Sequence, residues 1–289
     1  MKVGITRIGD FKQTWGESAR WDDRRQRLYL VDCATQSLHW LDDGVPPLQT
    51  LALPSMPTGV ALTEGPELVI CLDEGLCVVN PDDGSVELLS HYPAGLHGRA
   101  NDASADGFGN LVTGTLNLEV APGGYWWFSS AHGWRLLDDD ISNANGPVIT
   151  DLDGAPTLVF ADTPSQLIYA YPYDGERGLV GPRRVFGDHS DLGGTPDGAT
   201  ADQEGGVWSC VLLSGKVVRL SAAGRDRVID LPIVNPSDVA FGGPDLDQLF
   251  VTSIALALDQ SSLVGEDDGC LFVVDGLGAS GRPEPRFTL

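Results

Sequence analysis

One phrase recurs six times along the 289-residue chain: a turn, a run rich in Val, Leu, Tyr, Phe and Trp, and another turn. The strong runs are RLYLVDC, ELVICLD, NLVTGTL, TLVFADT, GVWSCVL and QLFVTSI, beginning near residues 27, 67, 110, 157, 206 and 248. Most lead into a second apolar run, such as SLHWLDDG, QLIYAYPYDG or KVVRLSAAG, and GYWWFSSAHGWRLL holds that place in the third repeat. No long stretch has apolar residues at helical spacing, while 36 Gly and 19 Pro punctuate the chain, as expected for short strands between turns. Repeats of about 48 residues with several strands each predict an all-β, six-bladed β-propeller, occupying residues 1–289 as one domain. A pair of β-sandwiches is the alternative; six returns of the same phrase favour the propeller.

The repeat also locates a centre. Aligning GESARWD, PTGVALT, RANDASAD, NANGPVIT, TPDGATAD and NPSDVAFG puts Glu17, Thr58, Asn101, Asn145, Asp197 and Ser237 in one column. All six bear oxygen. Equivalent positions of different blades converge on a propeller's axis. One polar residue at a strand start is ordinarily a solvated turn, but six at one register predict an axial cage. Two carboxylates and two amide carbonyls, with no His or Cys, suit a hard divalent cation. The strong runs, LVTGT included, read as the inner strands around it.

Charge narrows the partners. Forty-one acids against 18 bases give a net charge of −23, a field that repels nucleic acid and anionic membranes and attracts cations. Most of the acids read as a solvating surface. The five cysteines form no CxxC pair and are odd in number, which argues for buried thiols in a reducing compartment. With no apolar leader at MKVGITRIGD and no run approaching the ~20 residues that span a bilayer, a soluble cytoplasmic protein is expected.

Two motif matches fail on context. Asp102-x-Ser104-x-Asp106-Gly107 imitates half of an EF-hand, yet its twelfth position is Thr113 and a strand follows. DGFGN at 106–110 is instead a blade turn, equivalent to DQEGG at 202–206. GLGASG at 276–281 matches GxGxxG, but Pro283 and Pro285 leave no helix to hold a pyrophosphate. The five histidines show no metal spacing.

WGESARWDDRRQRLYLVD, RANDASADGFGNLVTGTLNLE, NGPVITDLDGAPTLVFADT, TPDGATADQEGGVWSCVLLSGKVVRL and VAFGGPDLDQLFVTS together resemble the SMP-30/gluconolactonase/LRE-like family, from about residue 15 to 275. The resemblance implies a six-bladed propeller with one axial divalent metal. Its ligands would be the Glu of the GE phrase, Glu17; the Asn before a Gly ahead of the fourth-blade strand, Asn145; and the Asp of PDG, Asp197. Three members of the column are therefore matched. It further implies that Arg99 and Asn101 of the RxND phrase hold substrate, joined by Glu119 after the GT strand. Ala19 replaces the usual Pro and Ala103 the usual Gly, and neither change removes a ligand.

The activity implied is hydrolysis of a small-molecule sugar lactone to an aldonic acid, with Asp197 as general base. Calcium is the first expectation for the metal, while Zn²⁺, Mg²⁺, Mn²⁺ and Fe²⁺ also accept such ligands. The competing readings are a scaffold propeller whose metal only ties blades together, and a hydrolase acting on another electrophile such as a phosphotriester. The aromatic segment 120–134 is either a blade hairpin or a substrate lid.

Overall fold

A computed structural model of the chain describes residues 3–116, 123–257 and 264–289. It arranges the strands in six sheets, antiparallel except for one C-terminal strand, whose innermost strands touch in a closed ring. Those innermost strands are Gly16–Asp22, Gly59–Thr63, Arg99–Ala105, Ala144–Leu152, Thr195–Ala201 and Pro236–Gly242, in blades 1 to 6. The propeller is therefore as expected, with one correction. The strong apolar runs are the second strands of their blades, LVTGT lying in Leu111–Leu116 outside Arg99–Ala105. The polar-looking phrases before them line the axis instead.

The reason lies in burial. A second strand has a blade on each side, so both of its faces are covered and alternation disappears. In RLYLVD, Leu28 and Leu30 pack towards blade 6 with Ala240 and Phe250, while Tyr29 and Val31 pack towards blade 2 with Val60 and Ile70. An inner strand has one edge on the axis and tolerates polar residues there. Six apolar clusters result, each shared by two neighbouring blades. All five cysteines are free and buried.

Both chain ends stitch the ring. The strand Gly4–Ile8 pairs with Leu271–Asp275 and completes blade 6 from the N-terminal side. The C-terminal segment crosses the far end of the channel: Gly281 bridges Asp202 of blade 5, Arg282 pairs with Asp151 of blade 4, and Arg286 pairs with Asp22 and Asp23 of blade 1. It then adds Arg286–Phe287 in parallel to Gly59–Thr63 and buries Phe287 between blades 2 and 3.

Two further expectations are corrected or sharpened. Among the described residues nine aspartates, including Asp22, Asp32, Asp106, Asp162, Asp202 and Asp268, are buried rather than solvating. Each of these six accepts backbone N–H groups at a turn; Asp106 takes those of Phe108 and Asn110, and Asp202 those of Glu204 and Gly206. The described part of the aromatic segment, from Gly123, is blade hairpin, with Tyr125, Trp126, Trp127 and Phe128 buried. A lid from those residues is excluded.

His189, between blades 4 and 5, is fully buried and neither ring nitrogen has a hydrogen-bond partner among the described residues. Burial, helped by the Arg225 guanidinium, lowers its pKa from 6.5 to about 4. The unfolded chain therefore takes up this proton first as pH falls, so stability is full above about 6.5 and declines towards 4. His189→Leu removes that contribution. Its unfolding free energy should fall less between pH 7 and pH 4, by about 3 kcal/mol, than the parent's in urea titrations. Parallel pH curves would refute the assignment.

Candidate axial site

Five of the six column residues lie at a local irregularity, Thr58 being the exception. In five blades the register between the first and second strands shifts beside the column: Glu17/Arg20, Ala100/Ala103, Asn145/Val148, Pro196/Ala199 and Pro236/Val239. Such bulges twist a strand and re-aim side chains. Glycine follows for a packing reason. Gly146 has φ +57°, and a Cβ there would lie 2.9 Å from the Asp197 carbonyl oxygen of the next blade. The NG phrase is thus a close approach between blades 4 and 5, directly beside Asn145.

At this end of the channel Asn101, Asn145, Glu17 and Asp197 come together. Asn101 Nδ2 donates to Asn145 Oδ1 at 2.5 Å, to the Ala144 carbonyl at 3.0 Å and to Asn143 Oδ1 at 3.3 Å. Asn145 Nδ2 donates to Thr163 Oγ1 at 2.8 Å, and that hydroxyl donates to the Pro196 carbonyl at 2.9 Å. The Asn145 amide is thereby fixed with its nitrogen outward and its oxygen towards Asn101. Thr58 and Ser237 turn away into inter-blade bonds, donating to the Ala100 and Gly16 carbonyls. They close the ring rather than offer ligands.

Desolvation and then repulsion by neighbouring carboxylates push Glu17 and Asp197 up. Glu17 is raised well above its ordinary value by burial, then by Asp197, Asp238 and Asp102, against the Trp15 indole that donates to Oε1 at 3.2 Å. Asp197 is raised by burial, then by Asp238 and Asp102. Among the described residues no three His, Cys, Asp or Glu side chains cluster as a metal centre. Two desolvated carboxylates plus oriented amide oxygen nevertheless make a donor set of the kind a hard cation takes. Arg99 stands at the rim, its guanidinium 5.6 Å from the Trp15 ring centroid and touching Met56 Sδ. Glu119 lies outside the described residues.

Deeper on the axis lies a feature that sequence reasoning missed. Arg20 is buried and uses all five donors: Val60 O, Ala19 O, Ala103 O, Asp238 Oδ2 at 3.0 Å and Asp102 Oδ1 at 3.0 Å. Asp102 Oδ2 in turn accepts from Gly146 N of blade 4. The half-buried Glu284 of the C-terminal segment lies within Coulombic range of Arg20. A cavity beyond it is lined by Arg20, Phe108, Pro147, Arg282 and Glu284, and by none of the four clustered site residues. Arg20, Asp102 and Asp238 fall one to three places past the column. A second pass of the same alignment would have put all three near the axis, although Thr163, on a 3₁₀ turn outside the repeat, carries no such signal.

The family model described as the SMP-30/gluconolactonase/LRE-like region matches residues 15–255. Pentonolactonase XacC of Haloferax volcanii is 31% identical over 98% of this chain and 97% of its own. The 6-deoxy-6-sulfogluconolactonase of Pseudomonas putida is 32% identical over 94% of each. A crystal structure of regucalcin from Agrobacterium tumefaciens, described as a calcium-binding protein, superposes with a TM-score of 0.87 at 27% identity, covering 98% of this chain and 97% of that one.

Arg20→Met leaves Asp102 and Asp238 buried without their cation. Loss of one partner of a buried pair costs about 3–5 kcal/mol, so the unfolding midpoint in urea should fall by that equivalent; an unchanged midpoint would show that the network is not structural.

Proposed function

The chain belongs to the SMP-30/gluconolactonase/LRE-like family, and from that premise we propose that it is a metal-dependent lactonase, one propeller domain opening small sugar lactones to aldonic acids. The observation that carries this reading is the approach of the half-buried Glu17 to the buried Asp197, beside the oriented amides of Asn101 and Asn145. Curated relatives named as a pentonolactonase and a sulfogluconolactonase support the substrate class. A relative described as calcium-binding supports a divalent cation.

In this reading Glu17, Asn145 and Asp197 hold the cation, calcium first, with Mg²⁺, Mn²⁺, Zn²⁺ or Fe²⁺ admitted by the same donors. Such a cation supplies Lewis acidity, stabilising negative charge on the ester carbonyl oxygen. Asp197 accepts a proton from the water that attacks the lactone carbonyl carbon. The ring C–O bond then breaks, and the leaving oxygen takes up a proton to become a hydroxyl. Asn101 holds the substrate beside these groups, and Arg99 orients a hydroxyl or the new carboxylate. Glu119 is a further candidate substrate contact, from the resemblance alone.

The scaffold reading asks the cation to keep axial carboxylates from repelling. Arg20 already performs that task for Asp102 and Asp238. Among the described residues, what remains without a basic partner is the Glu17–Asp197 pair, at the end where the amides gather.

A pH-indicator assay over a panel of aldonolactones, with and without chelator, tests the proposal. Acid release that stops on chelation is expected; cation-bound but inert protein supports the scaffold. Asp197→Ala should reduce turnover by about a hundredfold or more, the scale of a lost general base. Near-parental turnover would remove Asp197 from that role. Asn101→Ala should raise KM or lower kcat while cation stoichiometry stays at the parental value, and loss of the cation would make Asn101 a ligand.

A further inference from the structure

Trp15 sits two residues before Glu17 and touches both halves of the proposed site. Its indole N–H donates to Glu17 Oε1 at 3.2 Å, and the Arg99 guanidinium lies over its ring at 5.6 Å from the centroid. Met56, which also packs against the core between blades 1 and 2, touches the same guanidinium through its sulfur.

The residue is itself held firmly. The Trp15 backbone N–H donates to Asp32 Oδ1 at 3.1 Å, its carbonyl accepts from Cys33 N at 2.9 Å, and its backbone bridges Ile254 of blade 6. Asp32 is a buried turn carboxylate that also takes the N–H groups of Thr14, Ala34 and Thr35. The Trp15 backbone is therefore anchored by the blade 1 turn and by blade 6, and its side chain packs on the core between blades 1 and 2, independently of anything in the channel.

Two soft degrees of freedom are removed in this way. A Glu side chain has three rotatable bonds, and engaging Oε1 leaves Oε2 as the oxygen offered to a cation. A guanidinium resting on an aromatic face keeps its N–H edge directed outward, available to a planar or anionic substrate group. Freezing both beforehand lowers the ordering cost that binding would otherwise meet.

We propose that Trp15 is the positioning residue of the site, fixing Glu17 for cation binding through its indole N–H and Arg99 for substrate binding through its ring face. This rests on the lactonase reading for its substrate half and on cation binding for the other. Trp15→Phe removes the N–H and keeps a ring; Trp15→Leu removes both.

Isothermal titration of chelator-stripped protein with Ca²⁺, and separately Mn²⁺, reads the first half, and KM for a hydrolysed aldonolactone reads the second. Loss of a hydrogen bond to a charged group should weaken cation binding about tenfold in Trp15→Phe, with KM within about twofold of the parent because a ring face remains under Arg99. Trp15→Leu should show the same cation loss and a KM raised about threefold or more. Thermal unfolding of both variants in chelator controls for folding, and Trp15→Phe, which preserves packing, should melt with the parent.

Parental cation affinity in Trp15→Phe would overturn the Glu17 arm, and an unchanged KM in Trp15→Leu would overturn the Arg99 arm; either result overturns the coupling. Parental protein that binds cation yet opens no lactone would reject the lactonase reading while the titration still decides the role of Trp15. Parental protein that binds neither cation would overturn both.

Discussion

The propeller is tied together by one guanidinium. Arg20 reaches from blade 1 to carbonyls of blades 2 and 3 and to carboxylates of blades 3 and 6, and Asp102 carries the link to Gly146 of blade 4. Blade 5 joins because Gly198 leaves room for the Asp238 side chain. A buried charge is costly unless its partners and donors are all satisfied. Here they are, and the full set exists only when six blades stand in register around the axis. The outer clusters supply most of the apolar burial, but each joins only two blades. Arg20 alone makes the ring a single cooperative object at its centre.

The axis consequently has two tiers. In the inner tier Arg20 bridges Asp102 and Asp238, and the C-terminal segment with Glu284 closes it from below. The outer tier of Glu17, Asp197, Asn101 and Asn145 has amides but no basic partner among the described residues. Blade-to-blade bridging at the centre is thus made by Arg20, and the outer carboxylates are not part of it. Charge elsewhere follows the same logic: many aspartates that look like surface in the sequence hold turn N–H groups inside the blades, where a backbone donor must otherwise go unpaired.

The ring architecture and the column were legible because a repeat multiplies a weak signal. Asn145 alone is a polar residue in a turn; with Glu17, Asn101 and Asp197 at the same register it becomes an axial residue. The same alignment misassigned the inner strand. Apolar runs such as LVTGT advertise burial on both faces, which belongs to the second strand, whereas the strand on the axis has one polar edge and reads as a turn. Trp15 and Thr163 were illegible, since their roles depend on an indole reaching Glu17 and a hydroxyl reaching Asn145 from outside the repeat.

What the sequence by itself determined is the number of blades, their order and the chemical character of the axial column, because these follow from periodicity and residue type. Only the tertiary structure decided which members of that column face the channel and which bond to a neighbouring blade, as Thr58 and Ser237 do. It alone set Arg20 between two carboxylates that lie 82 and 218 positions away in the chain. The physical reason is closure: a side chain's partners on the axis come from blades remote in sequence, and their identity is settled only when the ring shuts.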